Sequence, residues 1–223
     1  MASHRWFAPI STLLITALAA IIRIANLANP RLLVFDETYY VKDAYTLGLF
    51  GSERNWQDNP NPDFESGILS GYLEGAAYVV HPPFGKWIIW SGLELFGADS
   101  SFGWRIATAV LGVLMVPLVI LIARRLIGSN FFAAIAGLFM ALEGLSITLA
   151  RTAILDSNLA FFALLGFYFI LLDTQAWSSR LQKTKSSALR FRPWLLLAGI
   201  SLGLATGIKW SGLYFLAVFG LYT

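Results

Sequence analysis

Long apolar runs separated by short polar breaks make up most of this 223-residue chain, and one long polar interval stands between the first run and the rest. The first run covers about residues 7–28, with Arg23 in its outer third. Asn29-Pro30 ends it, because proline lacks an amide donor and disfavours helix in the residue before it. Further runs follow at about 103–123, 130–149, 157–172 and 194–208, and another starts at about 211 and reaches residue 223. Such lengths approach the roughly 20 residues with which a helix crosses the hydrocarbon core of a bilayer. Polar punctuation falls between them: Arg124-Arg125, then Arg151 and Asp156, then a basic linker with Arg180, Lys183, Lys185, Arg190 and Arg192 against Asp173.

The polar interval, about residues 31–101, has an internal pattern of its own. Tyr39, Tyr40, Ala44, Leu47 and Phe50, interspersed with Lys42 and Asp43, predict a short amphipathic helix over 36–50 lying at the interface. Residues 51–66, with Pro60 and Pro62, are rich in turn formers and are expected to project into water. The run WIIWSGLELF at 87–96 is too short to span, so an interfacial or re-entrant helix is expected.

Composition agrees with this division. The chain is 57% hydrophobic and 13% charged, with 17 Phe and 8 Trp, and predicts an all-α, polytopic membrane protein. The absence of cysteine excludes disulfides and thiolate metal sites. The net charge of +3 points to no nucleic acid, since the basic residues sit where membrane topology signals sit. A signal peptide is the competing reading of His4, Arg5 and the stretch from Trp6 to Ile22. The run continues to Leu27 with no small-residue cleavage site, which favours a retained span. If the N-terminus is cytoplasmic, Arg124-Arg125 and the basic linker also fall inside, provided that 87–96 does not cross. The interval 31–101 is then an extracytoplasmic loop of a multi-pass cell-membrane protein.

Ten of the 13 carboxylates lie in that loop, and the outward side gathers Asp36, Glu37, His81, Lys86, Arg105, Arg151, Asp156 and Lys209. Charges near hydrocarbon are costly unless paired. Two readings are open: ion pairs that stitch helices together, or a cationic pocket for an anion whose other half is lipid, with a carboxylate beside it. Asp36-Glu37 could be a solvated face of the loop, but its place near a span end, beside Tyr39 and Tyr40, is a setting that suits a general base. The residues call for no cofactor. Zinc is weakly supported by two histidines on opposite sides, and Mg²⁺ or Mn²⁺ on carboxylates stays open, with spacing that matches no standard motif.

An ordered set of motifs distributed along the chain resembles the protein O-mannosyltransferase family, in particular its actinobacterial branch. The set is Phe35-Asp36-Glu37, His81-Pro82-Pro83-Phe84-Gly85-Lys86, Arg105 with Ala109 and Gly112, Arg151 to Ser157, and Lys209-Trp210-Ser211-Gly212. The resemblance implies a GT-C-type transmembrane glycosyltransferase fold, of which this chain is the N-terminal part. It implies transfer of mannose, with inversion, from polyprenyl-phosphate mannose to Ser or Thr hydroxyls of secreted proteins, with the bilayer and the secretion machinery as further partners. Asp36 matches the catalytic carboxylate, with Glu37 orienting the acceptor or supporting Asp36. Arg105 matches the arginine that binds the donor phosphate, and Lys86, Arg151 and Lys209 join the same anion site. Asp156 positions Arg151, and His81, Pro82 and Pro83 shape the loop floor. Eukaryotic members commonly carry an acid where this chain has Val80, so that the role of the acid is either absent here or met elsewhere, as by Glu74. The alternatives are a related transferase moving arabinose or aminoarabinose to lipid or polysaccharide, and, more remotely, a transporter or structural membrane protein.

Overall fold

A computed structural model of the chain describes residues 3–183 and 191–223. Lys185 and Arg190 of the basic linker lie outside the described residues, as do the side chains of His4, Arg5, Arg180 and Lys183. The elements are α1 (Ser3–Ile24), α2 (Glu37–Phe50), β1 (Arg54–Trp56), α3 (Asn61–Glu65), β2 (Tyr72–Ala76), α4 (Phe84–Phe96), α5 (Ser101–Ile127), α6 (Asn130–Leu142), α7 (Gly144–Ala150), α8 (Leu155–Lys183), α9 (Pro193–Ile208) and α10 (Gly212–Tyr222). This is an all-α membrane protein with, among the described residues, one small two-stranded sheet. Among the described residues three helices are long and apolar enough to cross a bilayer: Trp6–Ile24 of α1, α5, and Leu155–Ser178 of α8.

Helix ends follow local chemistry. At the start of α5 the Ser100 hydroxyl accepts from the Gly103 amide, and at its end Gly128 takes a left-handed conformation after Arg124 and Arg125. Both caps satisfy backbone groups that the last turns leave unpaired, so the helix runs past the expected 103–123. The run expected to form one span at 130–149 is broken instead. Glu143 is extended, its carboxylate accepts from the Leu145 and Ser146 amides, and α6 and α7 meet there at 58°. An acid that caps a new helix outweighs continuation of the old one.

α5 is the hub, packing against α1, α4, α6, α7 and α8. Its contact with α4 depends on two glycines. A Cβ on Gly92 would meet the Gly103 carbonyl oxygen at 2.3 Å, so no larger residue fits without moving α4 away. With 13 residues, about 20 Å of helix, α4 is shorter than the hydrocarbon core.

The loop is folded onto the helix ends and does not hang in water. Val41 and Ala44 of α2, Phe64 of α3, Ile89 and Leu93 of α4, Trp104 of α5, Leu155 of α8 and Ile208 of α9 form one core. The stretch 51–66, expected to project outward, is pinned by its two aromatics. Phe64 is fully buried, with Trp56 at 5.5 Å and Trp104 at 5.9 Å between ring centroids. Burial of one such ring contributes roughly 1.5–3 kcal/mol, enough to hold a polar turn down. β1 then pairs antiparallel with β2, Arg54 opposite Ala76.

Candidate active site

The turn that leads into α2 separates the two neighbouring acids. Phe35 adopts a left-handed conformation (φ 52°), which costs a bulky residue roughly 1–2 kcal/mol, and its ring is 81% exposed. Glu37 is thereby turned inward and Asp36 is left at the head of the helix without a side-chain capping bond.

Glu37 is fully buried and saturated. Its Oε1 accepts from Arg105 Nε at 2.7 Å and the Ala153 amide at 2.8 Å; its Oε2 accepts from Arg105 Nη2 at 2.8 Å and the Val34 amide at 3.0 Å. Arg105 uses its remaining donors on the Leu27, Pro30 and Leu32 carbonyls. All five N–H groups of the guanidinium are taken. Arg105, expected at the donor phosphate, is instead the buried partner of Glu37 and clasps the turn after α1. Glu37, expected to act in catalysis, is fully buried against Arg105.

Arg151, expected at the same anion site, spends donors on backbone carbonyls. Its guanidinium donates to the Ile22, Arg23, Ala25 and Asn26 carbonyls, at and just past the C-terminal end of α1. Arg23 answers from α1, donating to the Met140 and Ala141 carbonyls at the end of α6 and to the Ser146 hydroxyl. Asp156, expected to position Arg151, accepts from Lys209 Nζ at 2.9 Å.

Asp36 faces a cleft of about 700 Å³ with Tyr40, Asp43, His81 and Lys86. Asp36, Tyr40 and Asp43 are spaced by four and three residues, so that one face of α2 presents all three. Tyr40 stays a phenol, its pKa pushed up to about 12 by burial and then by Asp36, with which it hydrogen-bonds. Lys86 is buried between Asp43 and Glu53, 3.0 Å from each, so it lines the cleft with its charge already shared. Burial raises the Asp43 carboxyl above the usual range, against the pull of Lys86. His81 packs 6.2 Å from the Tyr40 ring with a buried, unpartnered Nδ1. Burial, then Lys209, then Lys86, push its pKa down, so the neutral imidazole is favoured. Pro83 stands at the head of α4, and the Trp210 indole donates to the Val80 carbonyl, fastening the His81-Pro82-Pro83 segment to the start of α10. Among the described residues no three His, Asp or Glu side chains converge as metal ligands would.

Sequence reasoning passed over Thr38, Lys42, Asp43, Glu53 and Asn61, all at or beside this cleft. The spacing of Asp36, Tyr40 and Asp43 was the signal that could have found the α2 face. The asparagine and Glu53 carried none, because the loop fold brings them in.

Comparison with known proteins gives the chain a family. The model of the family described as dolichyl-phosphate-mannose-protein mannosyltransferase matches residues 13–223. The polyprenol-phosphate-mannose--protein mannosyltransferase of Mycolicibacterium smegmatis is 39% identical over 95% of this chain and 40% of its own length. Its namesake in Mycobacterium tuberculosis is 37% identical with the same coverage. The protein O-mannosyl-transferase 1 of mouse is 30% identical over 93% of this chain and 26% of its own length. The chain thus spans about two-fifths of the length of the actinobacterial relatives it matches. With a match over nearly all of its residues, it belongs to the dolichyl-phosphate-mannose-protein mannosyltransferase family.

Proposed function

We propose that this chain supplies the catalytic cleft of an enzyme that transfers mannose from a polyprenyl-phosphate mannose to Ser or Thr hydroxyls of secreted proteins, and that it corresponds to the N-terminal part of such a transferase. The observation that carries the reading is the contrast at Asp36-Glu37. Glu37 is locked into Arg105, and Asp36 is the carboxylate of the pair that lines the cleft without a capping bond. The names of the actinobacterial relatives supply the donor and the acceptor class.

In this reading Asp36 accepts the proton of the acceptor hydroxyl as its oxygen attacks the anomeric carbon. The bond between that carbon and the phosphate oxygen breaks on the opposite face, so the configuration inverts and a polyprenyl phosphate leaves. The charge that grows on that phosphate needs a cation outside the saturated seam. Lys209, 25% exposed and paired to a single carboxylate, and Lys86 in the cleft wall are the members of the expected set that fit. The His81-Pro82-Pro83 segment forms the floor. The cleft faces outward across the cell membrane, with a cytoplasmic N-terminus, on the reading that Arg124-Arg125 at the far end of α5 lies inside. Secreted acceptors then reach it as they leave the secretion machinery.

Asp36→Asn, made in the whole protein, tests this. Mannose transfer to a Ser/Thr-rich peptide is expected to fall at least 100-fold, the low end for a positioned general base, with donor binding retained. Near-normal turnover would remove Asp36 from the chemistry.

A further inference from the structure

The cleft has two walls of different origin. One is made by groups at the membrane helices and their approaches: His81 and Lys86 at the start of α4, with Lys209, at the end of α9, near enough to His81 to act on its charge. The other is made by loop elements, and its polar centre is a chain of three side chains. Lys42 Nζ donates to Asn61 Oδ1 at 2.6 Å, and Asn61 Nδ2 donates to the Thr38 hydroxyl. Thr38 and Lys42 line the cleft, and the Trp56 ring lies 5.8 Å from the ammonium.

Lys42 is left short of partners. It is only 7% exposed, yet among the described residues it forms no ion pair, and its one hydrogen bond goes to a neutral amide. An ammonium has three N–H donors, and burying it with two unmet is unfavourable unless something else accepts them. Lys86 shows the alternative: two carboxylates of the loop, Asp43 and Glu53, flank its ammonium. The Thr38 hydroxyl, which accepts from Asn61, also keeps its own proton to donate. This wall therefore offers donors to oxygen. Two carboxylates, Asp36 and Asp43, line the same cleft from another face of α2 and would repel an anion placed there. Neutral hydroxyls suit both: their oxygens accept from Lys42 and Thr38, and their protons go to a carboxylate.

We propose that Thr38 and Lys42, held together by Asn61, form the subsite that reads the hydroxyls of the transferred hexose, with Asp43 accepting from one of them. This rests on the mannosyl-transfer reading above. A lipid phosphate at the wall with Lys86 and Lys209 would project its sugar toward the loop wall, where a site built to hydrogen-bond a hydroxyl discriminates against sugars that misplace it.

The test uses the whole protein with two donors, polyprenyl-phosphate mannose and polyprenyl-phosphate glucose, and measures the affinity for sugar-free polyprenyl phosphate beside them. Lys42→Met is expected to lower kcat/KM for mannose about 10- to 100-fold and to narrow the preference over glucose. Its affinity for the sugar-free lipid should match that of the wild type. Thr38→Val, which removes one hydroxyl and no charge, should shift the preference the same way by about 5-fold, and keeps the test decisive if Lys42→Met does not fold. Asn61→Ala should narrow it too. Loss of affinity for sugar-free polyprenyl phosphate in Lys42→Met would make this a phosphate site and overturn the proposal. An unchanged mannose-to-glucose ratio in both Lys42→Met and Thr38→Val would overturn it as well. A wild-type protein that transfers neither sugar would instead bring down the mannosyl-transfer reading, and the subsite with it.

Discussion

Asp36 and Glu37 are adjacent in the chain and occupy opposite environments. Below the turn, Glu37 sits in a dry seam with Arg105, where every donor and acceptor on the two groups has a partner. Arg23 and Arg151 extend the seam by filling the carbonyl ends of α6 and α1. Above the turn, Asp36 opens on a cleft lined by Lys42, Arg54 and Lys86, and there the bonding is incomplete: Lys42 has one hydrogen-bond partner, and the His81 Nδ1 has none. Both regions gather opposite charges near membrane helices. What separates the Glu37–Arg105 pair from the cleft is satisfaction, although farther along the seam the buried Arg23 Nε has no partner. A guanidinium with five filled donors has no capacity left for a ligand, whereas an ammonium with two open donors has.

The comparison breaks most sharply at Arg105. Arg105→Ala would leave the fully buried Glu37 unpaired together with three carbonyls, a loss of about 3–5 kcal/mol. Thermal unfolding in detergent should show a large fall in the midpoint, or folded protein should not be recovered. A variant of native stability that binds the donor weakly would return Arg105 to the phosphate. Arg151→Ala should cost less, about 1–3 kcal/mol, because the carbonyls it caps are partly exposed and water can replace it. Its unfolding midpoint should drop modestly with the donor affinity intact; an affinity loss without a stability loss would move Arg151 out of the seam.

Much of the architecture was legible in the pattern of residues. The apolar runs became helices, Arg124-Arg125 and Gly128 marked the end of α5, and the amphipathic stretch at 36–50 became α2. The break at Glu143 had a visible sign, an acid inside an apolar run, but its meaning as a cap depends on the two amides that follow it. The loop was the hardest part to read. β1 has three residues and β2 five, too few for alternation to show, and what closes the hairpin over the cleft is the burial of Phe64 against Trp104, a residue in a different segment. At the site, Asp36 could be singled out by its place and by family resemblance. The fate of Arg105 could not, because three of its five bonds go to backbone carbonyls, and a carbonyl leaves no mark in a sequence. A count of charges on one side of a membrane finds a polar region without saying which charges are free.

The smallest expected effect sharpens the cleft side. Burial, then Lys209 and Lys86, lower the His81 pKa, with Asp156 and Asp36 pulling the other way. Its folded pKa lies below 6.5, so between that value and 6.5 the unfolded chain binds the proton more readily. Stability is therefore complete above about pH 6.5 and falls as the pH drops through this window. Removing the ammonium in Lys209→Met takes away a cause of the depression and leaves Asp156 free to favour the imidazolium, so the window narrows and the acid-side loss shrinks. Unfolding midpoints measured from pH 7.5 to pH 5 should slope less steeply for this variant than for the wild type. The same slope in both would mean that Lys209 does not act on His81, and would detach the Asp156–Lys209 pair from the cleft.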